Sequence, residues 1–256
     1  MKMANATFAL LLALGLIACG HDHAADQVQG VSTVSNGPPQ RIHWRAMAVA
    51  GDDSAEVFDN AVEEISQILA ARGVHPINRF TSDPMVARAD RPIATAQAMA
   101  NALDGAKPLP GQGCLVFITS HGGRHGVLMR DDLDNGQILD PSALGRILDQ
   151  GCGSAPTVAI VSTCFSGIFL GSVTEAPNRI ILTAARDDRT SFGCGHEEQF
   201  TYFDGCMFKA WPDSQTWQAL FLATEACVRQ KEDALGFKHS EPQAFFGSAV
   251  KDLGLP

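Results

Sequence analysis

The sequence predicts an α/β fold with a mostly parallel sheet covered on both faces. Short continuous apolar runs recur along the chain, segments of helical periodicity lie between them, and the runs end in glycine- or hydroxyl-rich turns. Strands buried on both faces read as unbroken apolar runs, and helices between them supply the covering layers. Residues 46–50 (AMAVA) form the first such run and stop at Gly51-Asp52-Asp53. Ser54 or Asp53 is placed to cap the helix that follows. In residues 55–71, Val57, Phe58, Ala61, Val62, Ile65, Ile68 and Leu69 recur at helical spacing, and Gly73 ends the segment. Residues 74–80 read as a second strand, 93–103 as a second helix, and 107–113 as a loop. Residues 114–119 (CLVFIT) are a third strand. Residues 126–139 read as a hairpin turning at Asn135-Gly136. A short helix over 141–150 precedes a fourth strand at 157–163 (TVAIVST), and 179–184 (RIILTA) is the fifth. Residues 41–256 therefore read as one domain.

A chain of 256 residues can bury a core without metal or disulfide staples. Its formal charge of −9 offers no basic field for nucleic acid or anionic lipid. The first residues differ from the rest. Lys2 precedes an apolar stretch through Ala18, too short and wrongly flanked to span a bilayer, so residues 1–18 read as a secretory signal. Leu16-Ile17-Ala18-Cys19 resembles the lipobox of bacterial lipoproteins. That resemblance implies cleavage before Cys19, a lipid on that cysteine, and residence in a bacterial envelope membrane; Gly20 points to the periplasmic face of the outer membrane. A plain secreted signal is the competing reading. Residues 19–40 are polar with Gly and Pro-Pro, as a flexible tether would be.

Two strands end in sequences that carry chemistry. The third runs into Ser120-His121-Gly122-Gly123, and the fourth into Ser162-Thr163-Cys164-Phe165-Ser166-Gly167. Ligands of open α/β sheets bind beyond the carboxyl ends of the strands. A cysteine and a histidine at two such ends can share a crevice, where the imidazole takes the thiol's proton and the thiolate attacks. The backbone amides of Gly122 and Cys164 are candidates for an oxyanion hole. A short apolar segment, 167–170, could add a helix N-terminus behind the thiolate. No His or Cys pair has zinc-ligand spacing, so no metal or cofactor is expected. The segment 131–136 (DDLDNG) reads as a solvated hairpin tip rather than a calcium loop.

His-Gly after one apolar strand and Cys-x-Ser-Gly after the next resembles the legumain family of cysteine peptidases, relatives of the caspases. Caspases place glycine two after the cysteine; Gly167 is three after, as in legumains. Residues 183–194 (TAARDDRTSFGC) are similar to the legumain wall of the S1 pocket, and Thr201-Tyr202-Phe203 with Trp211 resembles a further legumain stretch. The resemblance covers about residues 45–211, with 237–247 only weakly alike. It implies a caspase-like three-layer α/β/α sandwich and an endopeptidase acting on peptide or protein substrates through Cys164 and His121, with cleavage after Asn or Asp in view. It also implies substrate-binding roles for Ser191, Ser162 and Asp204. The acidic neighbour of the histidine is here Ser120, the glutamate two before the nucleophile is Ser162, and the arginine after the first strand is absent from Gly51-Asp52-Asp53-Ser54. The family's asparagine-reading groups are thus mostly replaced. The same acyl-enzyme would serve a transpeptidase or ligase, and a catalytically silent periplasmic binding module on this fold is a third reading.

Seven cysteines suit an exported chain. With Cys19 lipidated and Cys164 catalytic, Cys114, Cys152, Cys194, Cys206 and Cys227 remain, an odd number that leaves at least one thiol free. Cys194 with Cys206, bracketing one polar loop, is the expected pair.

Overall fold

Strand β1 (His43–Ala50) is the first element of the computed structural model, which describes residues 42–105, 107–129, 136–195 and 197–256. The signal, lipidation and tether readings of residues 1–41 lie outside those residues, as do most of the hairpin tip and His196. Helix α1 (Glu56–Ala71) follows, then β2 (Ile77–Phe80), α2 (Ala96–Asp104) and β3 (Gln112–Thr119). The short strands β4 (Gly122–Gly123), β5 (Gly126–Met129) and β6 (Gln137–Leu139) make a separate antiparallel sheet. Helix α3 (Pro141–Gly151), β7 (Thr157–Ser162) and β8 (Arg179–Thr183) come next. Helices α4 (Tyr202–Ala210) and α5 (Trp217–Leu235) and strand β9 (Gln243–Phe246) complete the order. Among the described residues no helix is long and apolar enough to cross a membrane.

The main sheet runs β2-β1-β3-β7-β8-β9. All its pairs are parallel except β8 with β9. Successive side chains of a strand point to opposite faces, and the two cores divide accordingly. Ala46, Ala48, Leu115, Phe117, Val158, Ile160, Ile180 and Leu182 face the layer of α1, α4 and α5. Met47, Val49, Val116, Ile118, Ala159, Val161 and Ile181 face α2 and α3. The architecture is the expected three-layer sandwich.

Three local expectations change. Helix α1 starts after Ala55 with no side-chain cap; the Asp52 carboxylate instead accepts from the Ser54 amide at 2.7 Å. The segment after the fourth strand is one 3-10 turn, Ser166–Phe169, too short to align a useful dipole behind Cys164. Cys194 is not paired with Cys206. The disulfides are Cys114–Cys152, joining β3 to the end of α3, and Cys206–Cys227, joining α4 to α5, each with Cα atoms 5.7 Å apart. Bridging requires side chains that meet across packed elements, and α4 turns Cys206 inward against α5, leaving Cys194 free on its loop.

Candidate active site

The register brings the site together. Strands β3 and β7 pair in parallel, with Thr119 opposite Ser162 as the last pair. Two residues further along each chain come His121 and Cys164, so both leave the sheet side by side at its carboxyl edge. They line one small cleft with Phe58, Ser191, Phe192 and Cys194. Its enclosed space is about 10 Å³, room for about one water. Larger cavities of about 480 and 750 Å³ lie at the other end of the strands, around Gln112 and Trp44, and neither is lined by a free cysteine. Strand geometry and chemistry together favour the small cleft.

The Cys-x-Ser-Gly sequence is explained by what its atoms touch. Phe165 adopts a left-handed conformation (φ 58°), which turns the chain sharply out of β7, and Arg124 lies over its ring at 5.2 Å. Ser166 Oγ accepts from the Ala185 amide at 3.0 Å, tying the turn to the end of β8. A Cβ on Gly167 would fall 2.4 Å from the Asp187 amide nitrogen, so only glycine lets residues 186–187 pack there. Gly122 is restricted in the same way. A Cβ there would meet Thr163 Oγ1 at 2.6 Å and the Cys164 carbonyl oxygen at 2.8 Å. The Leu128 amide donates to the His121 carbonyl at 2.9 Å, and Gly122 lies opposite Val127. Antiparallel ladders alternate bonded and non-bonded pairs, so the Gly122 N–H points away from β5.

The resting contacts differ from the simplest dyad. His121 packs edge-on against Phe58 of α1 at 5.1 Å, and it shares the cleft with Cys194. The neighbouring Cys194 holds the imidazole above its ordinary range, against the opposing effect of burial. The imidazole in turn lowers the Cys194 thiol. Cys164 Sγ lies 3.3 Å from the Ser191 amide and 3.5 Å from its carbonyl oxygen. Burial pushes the Cys164 thiol up, the Ser191 amide opposes this, and Cys194 adds to the rise. Cys194 was not a site candidate from sequence. Its signal was its place at the end of residues 183–194, the stretch that resembles the legumain S1 wall.

Ser191 flanks the nucleophile, and Ser162 and Thr201 form a hydroxyl floor with their oxygens 3.4 Å apart. Asp204 does not line the cleft. Thr201 caps α4, which aims Asp204 into the core, where it is fully buried and accepts from Thr119 Oγ1 at 2.8 Å. Its reading as a substrate-binding residue is corrected: it supports the hydroxyl floor from below. Burial drives its carboxyl up to about 6, against the lowering effect of the neighbouring Ser162, Thr119 and Thr201 hydroxyls. Among the described residues no group of three His, Cys, Asp or Glu side chains is placed to hold a metal.

The family model described as the Peptidase C13 family matches residues 110–248. The match starts later and runs further than residues 45–211, and takes in β9. In structure the chain is similar to caspase-1 from Spodoptera frugiperda, with a TM-score of 0.58 and 11% sequence identity over 82% of this chain and 89% of that one. At that identity the likeness speaks for the fold. A comparison with curated proteins finds no match. With more than half its length matched and both strand-end motifs inside the match, the chain belongs to the peptidase C13 (legumain) family and is a cysteine-type peptidase of caspase-like fold.

Proposed function

We propose that the protein is an endopeptidase in which Cys164 is the nucleophile and His121 the base. The observation that carries this is their exit from adjacent parallel strands, two residues past the Thr119–Ser162 pair, into one cleft. His121 takes the Cys164 proton, and the thiolate adds to the substrate carbonyl. The Gly122 and Cys164 amides hold the oxyanion. The C–N bond breaks as His121 protonates the leaving amine, and water, deprotonated by His121, then cleaves the thioester.

The hydroxyls of Ser162, Ser191 and Thr201 suit an uncharged, hydrogen-bonding P1 side chain such as asparagine, and Asp204 beneath them disfavours aspartate. A peptide library varied at P1, run at neutral pH alongside a thiol-directed active-site probe, tests this. Expected are probe attachment to Cys164 and cleavage after Asn in preference to Asp. A folded protein that cleaves nothing and leaves Cys164 unlabelled would reject the reading.

The N-terminal residues support a second proposal, that Cys19 carries a lipid anchoring the domain to an envelope membrane through residues 19–40. Expressed from its full sequence in a bacterial host, the protein should sediment with membranes, and Cys19→Ala should move it to the soluble fraction. Equal partitioning of the two would refute the anchor.

A further inference from the structure

Three reactive groups converge in the cleft, and the peptidase reaction uses two. Cys164 and Cys194 are the free thiols among the described residues, since the other four described cysteines are bridged. Both are half-buried and line the same narrow cleft. Ser191, whose amide touches Cys164 Sγ, stands three residues before Cys194 on one loop. Glycines flank Cys194: Gly193 in the left-handed region (φ 94°), and Gly195, where an added Cβ would meet open space. Gly193 lets the loop pack closely on Tyr202, whose amide donates to the Phe192 carbonyl at 2.9 Å, and this holds Cys194 at the cleft it shares with Cys164. His121 lines the cleft with both thiols; it lowers the Cys194 thiol, whereas burial raises that of Cys164.

We propose that Cys194 is a redox modification site: it captures a small-molecule disulfide and passes it to Cys164, closing a reversible Cys164–Cys194 disulfide that switches the peptidase off. The Cys194 thiolate attacks a disulfide RS–SR, forming a Cys194–SR bond and releasing one thiolate, which is protonated to RSH. Cys164 then gives its proton to His121, and its sulfur attacks the Cys194 sulfur. The second RS⁻ leaves and takes the proton from His121. The balance is two protein thiols plus RS–SR giving one protein disulfide plus two RSH. The imidazole that serves peptide cleavage serves here as the proton carrier. The nucleophilic sulfur is thereby consumed, and a dithiol restores it.

The switching-off rests on the proposed peptidase role of Cys164; formation of the bridge does not. The full chain is incubated with oxidised glutathione and quenched with an alkylating agent. It is then mapped by mass spectrometry without reduction while peptide cleavage is followed. Expected are a cross-linked peptide pair containing Cys164 and Cys194, and activity lowered at least about tenfold and recovered with dithiothreitol. In Cys194→Ser, measured against its own reduced state, inactivation should be at least about tenfold slower, because the buried Cys164 thiol must then meet the oxidant unaided. Glutathione found on Cys164 with no cross-link would overturn the proposal, as would a serine variant inactivated as fast as wild type. If no peptide is cleaved under any condition, the peptidase mechanism fails, while the cross-link map still decides whether the bridge forms.

Discussion

Cys164→Ala is expected to lower kcat/KM for peptide cleavage by at least about a thousandfold, the scale seen when a covalent nucleophile is removed. Alanine keeps the small volume, and Sγ makes only the 3.3 and 3.5 Å contacts with Ser191, so the fold should be preserved. Circular dichroism and a melting curve check that, and steady-state kinetics on the best library peptide supply the number. The informative comparison is Cys194→Ser, because Cys194 lines the same cleft as His121. Should Cys164→Ala retain activity while Cys194→Ser loses it, the two thiols have exchanged roles and the nucleophile is assigned wrongly.

The second large effect concerns stability. Asp204 sits fully buried with no cation against it, and its carboxyl is raised from 3.8 to about 6. The folded state therefore binds this proton more tightly than the unfolded chain. The group's contribution to stability is fully present below about pH 4 and is lost as pH rises through about 6. A shift of about two units corresponds to roughly 3 kcal/mol. Asp204→Asn keeps the shape and a polar end for Thr119 and Ser162 but carries no charge. The difference in unfolding free energy, variant minus wild type, should rise by roughly 2 kcal/mol between pH 4 and pH 8. Denaturant melts across that range measure it. Parallel curves for the two proteins would show that Asp204 does not titrate in this window.

Much of the fold was legible because the apolar pattern is local. Strands β1, β3, β7 and β8 are unbroken apolar runs, and Val57, Phe58, Ala61, Val62, Ile65 and Leu69 of α1 lie at helical spacing on its buried face. The C-terminal third was read less fully, although α5 carries comparable signals. Thr216 caps it, Trp217, Leu220, Phe221, Thr224 and Val228 are buried at helical spacing, and Gly236 closes it in a left-handed conformation. Strand β9 was harder to see, since its four residues are only partly buried at an antiparallel edge.

The sequence by itself determined the order of elements through β8, the sheet's mostly parallel character, and the placement of His121 and Cys164 at strand ends. These follow from periodicity and from residues adjacent in the chain. Tertiary structure alone decided which groups those residues meet. Cys194 lines the cleft with His121 rather than bridging Cys206, because α4 carries Cys206 inward to Cys227 while the loop after β8 reaches the cleft. Asp204 points into the core because a cap at Thr201 sets the phase of α4. Such contacts depend on packing between segments distant in sequence, where a rotation of one helix residue, about 100°, moves a side chain from the site to the core.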